Sequence, residues 1–157
     1  MNLAVVVGAN GFLGSAIVNE LINNGVKVVA VYNERFDNIN KRAQLITSEE
    51  LLKSALHPDS IFYAAGNYAN SHSELLSMND LLYRYTLKFP ISKFVYVSST
   101  NVYGVQKNSI SEKSSFNNPN NYALSKLSGE FIFKSDEDSD NLLLARMYSP
   151  YPQNGIG

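Results

Sequence analysis

LAVVVGANGFLG, residues 3–14, decides the fold. Leu3 to Val7 is an unbroken apolar run, which suits a strand buried on both faces of a parallel sheet. Gly8 ends it. Over residues 12–24 the period becomes helical, with Leu13, Ile17, Leu21 and Ile22 on one face, and Gly25 stands where that helix should stop. Gly8, Gly11 and Gly14 lie between strand and helix. Glycine there permits a tight turn, close approach of a diphosphate to backbone N–H groups, and tight contact of helix with strand. The helix N-terminus would face those phosphates with the positive end of its dipole. Three glycines alone could make a plain turn; directly behind a buried first strand they point to a nucleotide.

The alternation continues along the chain. VKVVAVY (26–32) reads as a second buried strand and NERFDNINKR as a polar loop. AQLIT (43–47) is a short strand, and SEELLKSAL opens a helix with Ser48 as N-cap. SIFYAAG (60–66) is a strand ending in small residues. Residues 73–87 are helical through Leu75, Leu76, Met78, Leu82 and Tyr85. FVYVSSTNVYG (94–104) begins as a buried strand and ends in hydroxyls. A Ser- and Asn-rich loop covers 105–121, a helix 122–134, the strand NLLLARMY 141–148, and YPQNGIG is irregular. Strands alternating with helices predict an α/β fold: a doubly wound parallel sheet with helices on both faces and right-handed crossovers.

Composition narrows the function. A chain of 157 residues with 45% hydrophobic content is expected to form one domain, 1–157, around a real core. The net charge of -1 offers no electrostatic case for nucleic acid or an anionic membrane. Cysteine is absent, so there are no disulfides or thiolate metal sites. No apolar run approaches the about 20 residues that span a bilayer, and MNLAVVVGANG reads as an opening strand and not a signal peptide. A cytoplasmic location follows as the expectation. His57 and His72 have no cysteine or paired carboxylate beside them, so no metal is expected. Asp136, Glu137, Asp138 and Asp140 read as a solvated acidic loop.

In a doubly wound sheet, ligands bind beyond the carboxyl ends of the strands. Ser98, Ser99 and Thr100 stand at such an end, where their hydroxyls would face the reacting groups, although turn and cap bonding would also use them. One loop further on, NYALSK places Tyr122 and Lys126 at i and i+4, on one helix face. A phenol titrates near about 10, too high for proton transfer at neutral pH; an adjacent ammonium favours phenolate and lowers it. Glycine turn, serine strand end and Tyr/Lys helix, in this order, carry more weight than any of them alone. At the end of the second strand, where a carboxylate often holds a ribose 2′-hydroxyl, stand Tyr32 and Asn33, followed by Glu34. Arg35 offers a partner for a 2′-phosphate instead, so NAD or NADP stays open with a lean to NADP.

Five segments in order, GANGFLG, FVYVSSTNVYG, ISE (110–112), NPNNYALSK (118–126) and ARMYSPY (145–151), resemble the extended short-chain dehydrogenase/reductases, in particular the NAD-dependent epimerase/dehydratase family of nucleotide-sugar enzymes. The resemblance implies a Rossmann-like fold. It implies catalytic Ser99, Tyr122 and Lys126, with Tyr122 as acid/base, Lys126 also on the nicotinamide ribose, and Ser99 and Thr100 on the substrate. It implies NAD or NADP held by Gly8, Asn10, Gly11, Phe12, Leu13, Gly14, Asn33, Arg35, Ala64, Ala65, Gly66, Tyr122 and Lys126, and a small-molecule partner, a nucleotide sugar. The expected reaction is epimerisation or reduction, with a hydride passing between a sugar carbon and the cofactor.

Departures qualify the match. The family's R-x-x-N-x-Y-G-P after the sixth strand has lost its Asn and Gly: Arg146 is followed by Ser149, Tyr151 and Pro152. Thr47 or Ser48 stands where an adenine-contacting acid is usual. Thr100 and Asn101 replace the dehydratase Asp and Glu, which argues against 4,6-dehydration. Family members are roughly twice as long, so a fragment or short form without the C-terminal substrate domain is expected. Three alternatives stay open: a non-catalytic dinucleotide-binding module or regulator, an inactive fragment, and a reductase of small carbonyl compounds. Homodimerisation through exposed apolar surface is also open.

Overall fold

A computed structural model describes residues 1–66, 69–134 and 141–148. The acidic run 136–140 and the segment YPQNGIG lie outside the described residues, as do Ser149, Tyr151 and Pro152.

Six strands form one all-parallel sheet in the order β3-β2-β1-β4-β5-β6. They are β1 (Leu3–Val7), β2 (Lys27–Tyr32), β3 (Gln44–Thr47), β4 (Ser60–Tyr63), β5 (Lys93–Ser99) and β6 (Leu142–Met147). The helices are α1 (Phe12–Asn23), α2 (Ser48–Lys53), α3 (His72–Lys88) and α4 (Asn121–Lys134), with a 3-10 turn at Thr100–Tyr103. The strand order reverses between β1 and β4, which opens a crevice at their carboxyl ends.

The strands are buried on both faces because two cores flank them. Val5, Val7, Val29, Val31, Ile61 and Tyr63 pack with Leu51 of α2, Leu82 and Tyr85 of α3, and Phe133 of α4. The alternate positions Val6, Val28 and Ala30 pack with Val18 and Ile22 of α1 and with Ile39 and Ala43 of the 33–43 loop. Helices therefore cover both faces, as the unbroken apolar runs predict. Over β4–β6 the α1 side is thinner: Phe62, Val95 and Val97 are half-buried and Leu143 is 62% exposed.

Most boundaries fall within a residue of the sequence reading, and two differences have a clear physical reason. Thr47, not Ser48, caps α2. Its side chain accepts the Glu50 N–H while the Glu50 carboxylate accepts the Thr47 N–H. This reciprocal box needs Glu three residues past the cap; Ser48 would have Leu51 there, which cannot answer. The fourth strand ends at Tyr63, so Ala64, Ala65 and Gly66 belong to the turn that lines the crevice. The same box starts α3, with Ser71 and Glu74. No helix among the described residues is long and apolar enough to cross a membrane.

Candidate active site

A cleft of about 950 Å³ opens at the switch point. One wall is the glycine turn. Gly8 sits at φ +79°, and a methyl there would lie 2.9 Å from the Ala65 nitrogen. The turns that follow β1 and β4 thus approach so closely that only hydrogen fits. Gly14 is buried against the start of the turn, where a methyl would overlap the Gly8 carbonyl oxygen. Gly11 is the N-cap of α1, with no side-chain cap and no acidic residue in the first turn. Gly11, Phe12 and Leu13 line the cleft, so α1 presents the positive end of its dipole to it. Such a cradle fits the diphosphate of a dinucleotide.

The opposite wall comes from β5 and α4. Ser98 and Ser99 line the cleft beside Tyr122, and Ala64, Ala65 and Gly66 form its floor. The Ser99 hydroxyl accepts the Asn101 N–H at 3.2 Å, which caps the 3-10 turn. Asn120 accepts the Ala123 N–H at 2.9 Å at the start of α4, and Tyr122 of that first turn lines the cleft. Tyr122 is half-buried, its ring 5.7 Å from the Lys126 ammonium. Tyr63 also lines the cleft but is 1% exposed and donates to the Met78 carbonyl at 2.6 Å. Burial pushes the Tyr63 and Tyr96 phenols well above their ordinary range, which makes both harder to ionise. The other phenols that line the cleft among the described residues are Tyr32, Tyr122 and Tyr148, of which Tyr122 shares helix α4 with Lys126.

Lys126 lies behind the wall. It is 5% exposed, with its ammonium donating to the Ala65 carbonyl at 2.8 Å and the Val97 carbonyl at 3.1 Å. Burial lowers its pKa to about 8 from 10.5. The folded value lies below the unfolded one, so between pH 8 and 10.5 the unfolded chain binds more protons and stability rises with pH. The rise should total about 3 kcal/mol. Urea unfolding of the parent and of Lys126→Met across that window should differ by this slope; parallel curves would refute the depressed pKa.

Of the remaining expected residues, Asn10 and Asn33 line the cleft. Asn10 also holds the loop, accepting the Asn38 N–H on its side chain at 2.9 Å. Arg35 does not line the cleft; it makes a two-pronged pair with Asp37 at 3.1 and 2.8 Å. Thr100 borders a second cleft, of about 870 Å³, together with Tyr103 and Arg146. Sequence reading missed the α3 side of the main cleft, Ser73, Ser77 and Met78, although Ser73 and Ser77 are spaced i, i+4 on a helix after a strand end. It also missed Glu130, which follows Lys126 by one turn on the buried face of α4. Among the described residues no group of three His, Cys, Asp or Glu side chains converges as a metal site, and His72 bonds to the Asn121 amide at 2.7 Å.

Fold and cradle together define an α/β domain built to hold a nucleotide. The chain belongs to the NAD-dependent epimerase/dehydratase family, whose sequence model matches residues 4–155. Solved structures sharing the fold include a UDP-galactose 4-epimerase, with TM-score 0.76 and 22% identity over 92% of this chain and 55% of that one. The Bordetella bronchiseptica enzyme WbmH, in complex with NAD+, superimposes with TM-score 0.78 and 20% identity over 95% of this chain and 56% of its own. For the Helicobacter pylori ADP-L-glycero-D-manno-heptose-6-epimerase the values are 0.79, 20%, 92% and 54%. The chain spans little more than half the length of each. No curated protein sequence matches it.

Proposed function

We propose that this chain forms the cofactor-binding and proton-transferring part of an epimerase or reductase acting on a nucleotide sugar. The observation that carries the reading is the convergence of Ser99 and Tyr122 on one cleft with the glycine cradle, with Lys126 packed directly behind. Bound there, a nicotinamide dinucleotide supplies the acceptor and donor of a hydride at a sugar carbon. Tyr122 takes the proton from the sugar hydroxyl and returns it on the reverse step. Ser99 orients that hydroxyl. Lys126 keeps positive charge near the phenol and joins the β4 and β5 strand ends through their carbonyls. The family match and the epimerases of like fold support the substrate class.

NAD is the favoured cofactor in this reading. Arg35 is engaged by Asp37, whose carboxylate would also repel a 2′-phosphate, and Asn33 offers an amide to a ribose hydroxyl. Three of the solved structures of like fold carry NAD. Replacing Asp37 with Ala should raise NADP affinity relative to NAD about fivefold, the scale of one exposed charge pair. Calorimetric titration with both cofactors measures it, and an unchanged ratio would discard the role of Arg35.

The direct test is titration with NAD, followed by incubation with UDP-, GDP- and dTDP-sugars while reduced nicotinamide is followed by absorbance and products by chromatography. Turnover with one of them is the expected result. Binding without turnover on any sugar would favour a non-catalytic dinucleotide-binding module.

A further inference from the structure

Glu130 is 1% exposed, two turns past Tyr122 and one past Lys126 on the same face of α4. Its carboxylate is fully engaged. One oxygen accepts the Ser98 hydroxyl at 2.6 Å and Arg146 Nε at 3.0 Å; the other accepts Arg146 Nη2 at 2.7 Å. Arg146 Nη1 then donates to the Tyr103 hydroxyl at 2.7 Å, and its guanidinium lies 5.1 Å from the Tyr103 ring centroid. Arg146 is the β6 partner of Ser98 in the sheet register. Four elements therefore meet on one ion pair: β5, the 3-10 turn, β6 and α4.

The connectivity gives this pair a task beyond holding charge. Ser98 and Tyr103 flank residues 99–102, so the segment bearing Ser99 is tied at one end directly to a carboxylate rooted in the helix that bears Tyr122, and at the other end to the same carboxylate through Arg146. A buried ion pair is weak as a source of stability, since a well-packed apolar replacement often does as well. A two-pronged pair with two hydroxyl ties does, however, fix relative position in all directions. Misplacement of reacting groups by about 1 Å can reduce a rate about 100-fold.

We propose that Glu130, through Arg146, Ser98 and Tyr103, is a positioning residue that sets the spacing between the Ser99 hydroxyl and the Tyr122 phenol. This rests on reading Ser99 and Tyr122 as the reacting pair. The variants are Glu130→Gln, which keeps shape but turns an amide toward the guanidinium, and the milder Ser98→Ala and Tyr103→Phe, which leave the ion pair intact should Glu130→Gln fail to fold.

Two measurements test it. Crystal structures of the variants should show the Ser99-to-Tyr122 spacing altered by about 1 Å. Hydride transfer with the sugar that the parent turns over should fall about tenfold in Ser98→Ala and Tyr103→Phe and about 100-fold in Glu130→Gln, with KM and NAD affinity within about twofold of the parent. A purely structural role would lower the unfolding midpoint and leave kcat per folded molecule alone. An unchanged spacing overturns the proposal whatever the turnover. An altered spacing in a chain that turns over no sugar removes the functional reading and leaves the positioning intact.

Discussion

Tyr122→Phe should lose turnover by about 10²–10⁴-fold while binding NAD within about threefold of the parent. The change deletes one oxygen and keeps the ring. The ring is what packs: it is half-buried at the cleft wall, 5.7 Å from the Lys126 ammonium. The phosphate cradle lies on β1 and α1, across the cleft from α4, so cofactor affinity should hardly register the missing hydroxyl. The loss should fall in kcat and kcat/KM equally, since the proton passes only in the transition state. Three nearby phenols are committed elsewhere. The Tyr63 hydroxyl is committed to the Met78 carbonyl, the Tyr96 phenol is buried against α4, and Tyr103 is turned to Arg146. Rapid-mixing measurement of reduced nicotinamide with the active sugar reads the effect. Turnover within threefold of the parent would remove Tyr122 as the acid/base.

What could be read without coordinates was local or periodic. LAVVV and VKVVAVY announce strands buried twice over because a parallel sheet with cores on both sides demands apolar residues at every position. The order of the glycine turn, hydroxyl-ended strand and Tyr/Lys helix is enough to place Ser99 and Tyr122 at one cleft, because crossovers in such a sheet return each strand end to the same edge. What was hidden depends on contacts between distant segments or on backbone atoms. Glu130 looks like an ordinary surface acid on an amphipathic helix; its burial becomes visible only when β6 brings Arg146 alongside, sixteen residues later. The lysine's partners are the carbonyls of Ala65 and Val97, which no side-chain pattern encodes. Asn10 was expected on a cofactor and also holds Asn38 across 28 residues. The Thr47 cap was within reach, since Glu50 three residues on marks the box; reading Ser48 as the cap set that spacing aside.

The cradle itself admits a severe test. Gly14→Ala places a methyl onto the Gly8 carbonyl oxygen, 2.8 Å from the Gly8 carbonyl carbon and 3.0 Å from the Ala9 Cα. All three atoms are backbone, so no rotamer change relieves the overlap; α1 must move away from β1. Overpacking of this kind costs about 1–3 kcal/mol, or roughly 2–12 °C in Tm at this chain length. Displacing the helix start also displaces the N–H groups around Gly11, Phe12 and Leu13, so NAD affinity should fall about 30-fold or more, beyond what the stability loss explains. Gly25→Ala is the matched control. Gly25 also has a positive φ, +77°, but nothing lies within 4 Å of its added methyl. Its cost is backbone strain alone, about 1–2 kcal/mol, and it stands at the far end of α1 from the cleft. Gly25→Ala should therefore melt earlier yet bind NAD as the parent does, whereas Gly14→Ala should fail at both. Equal NAD affinity in the two folded variants would mean that the turn does not hold the diphosphate.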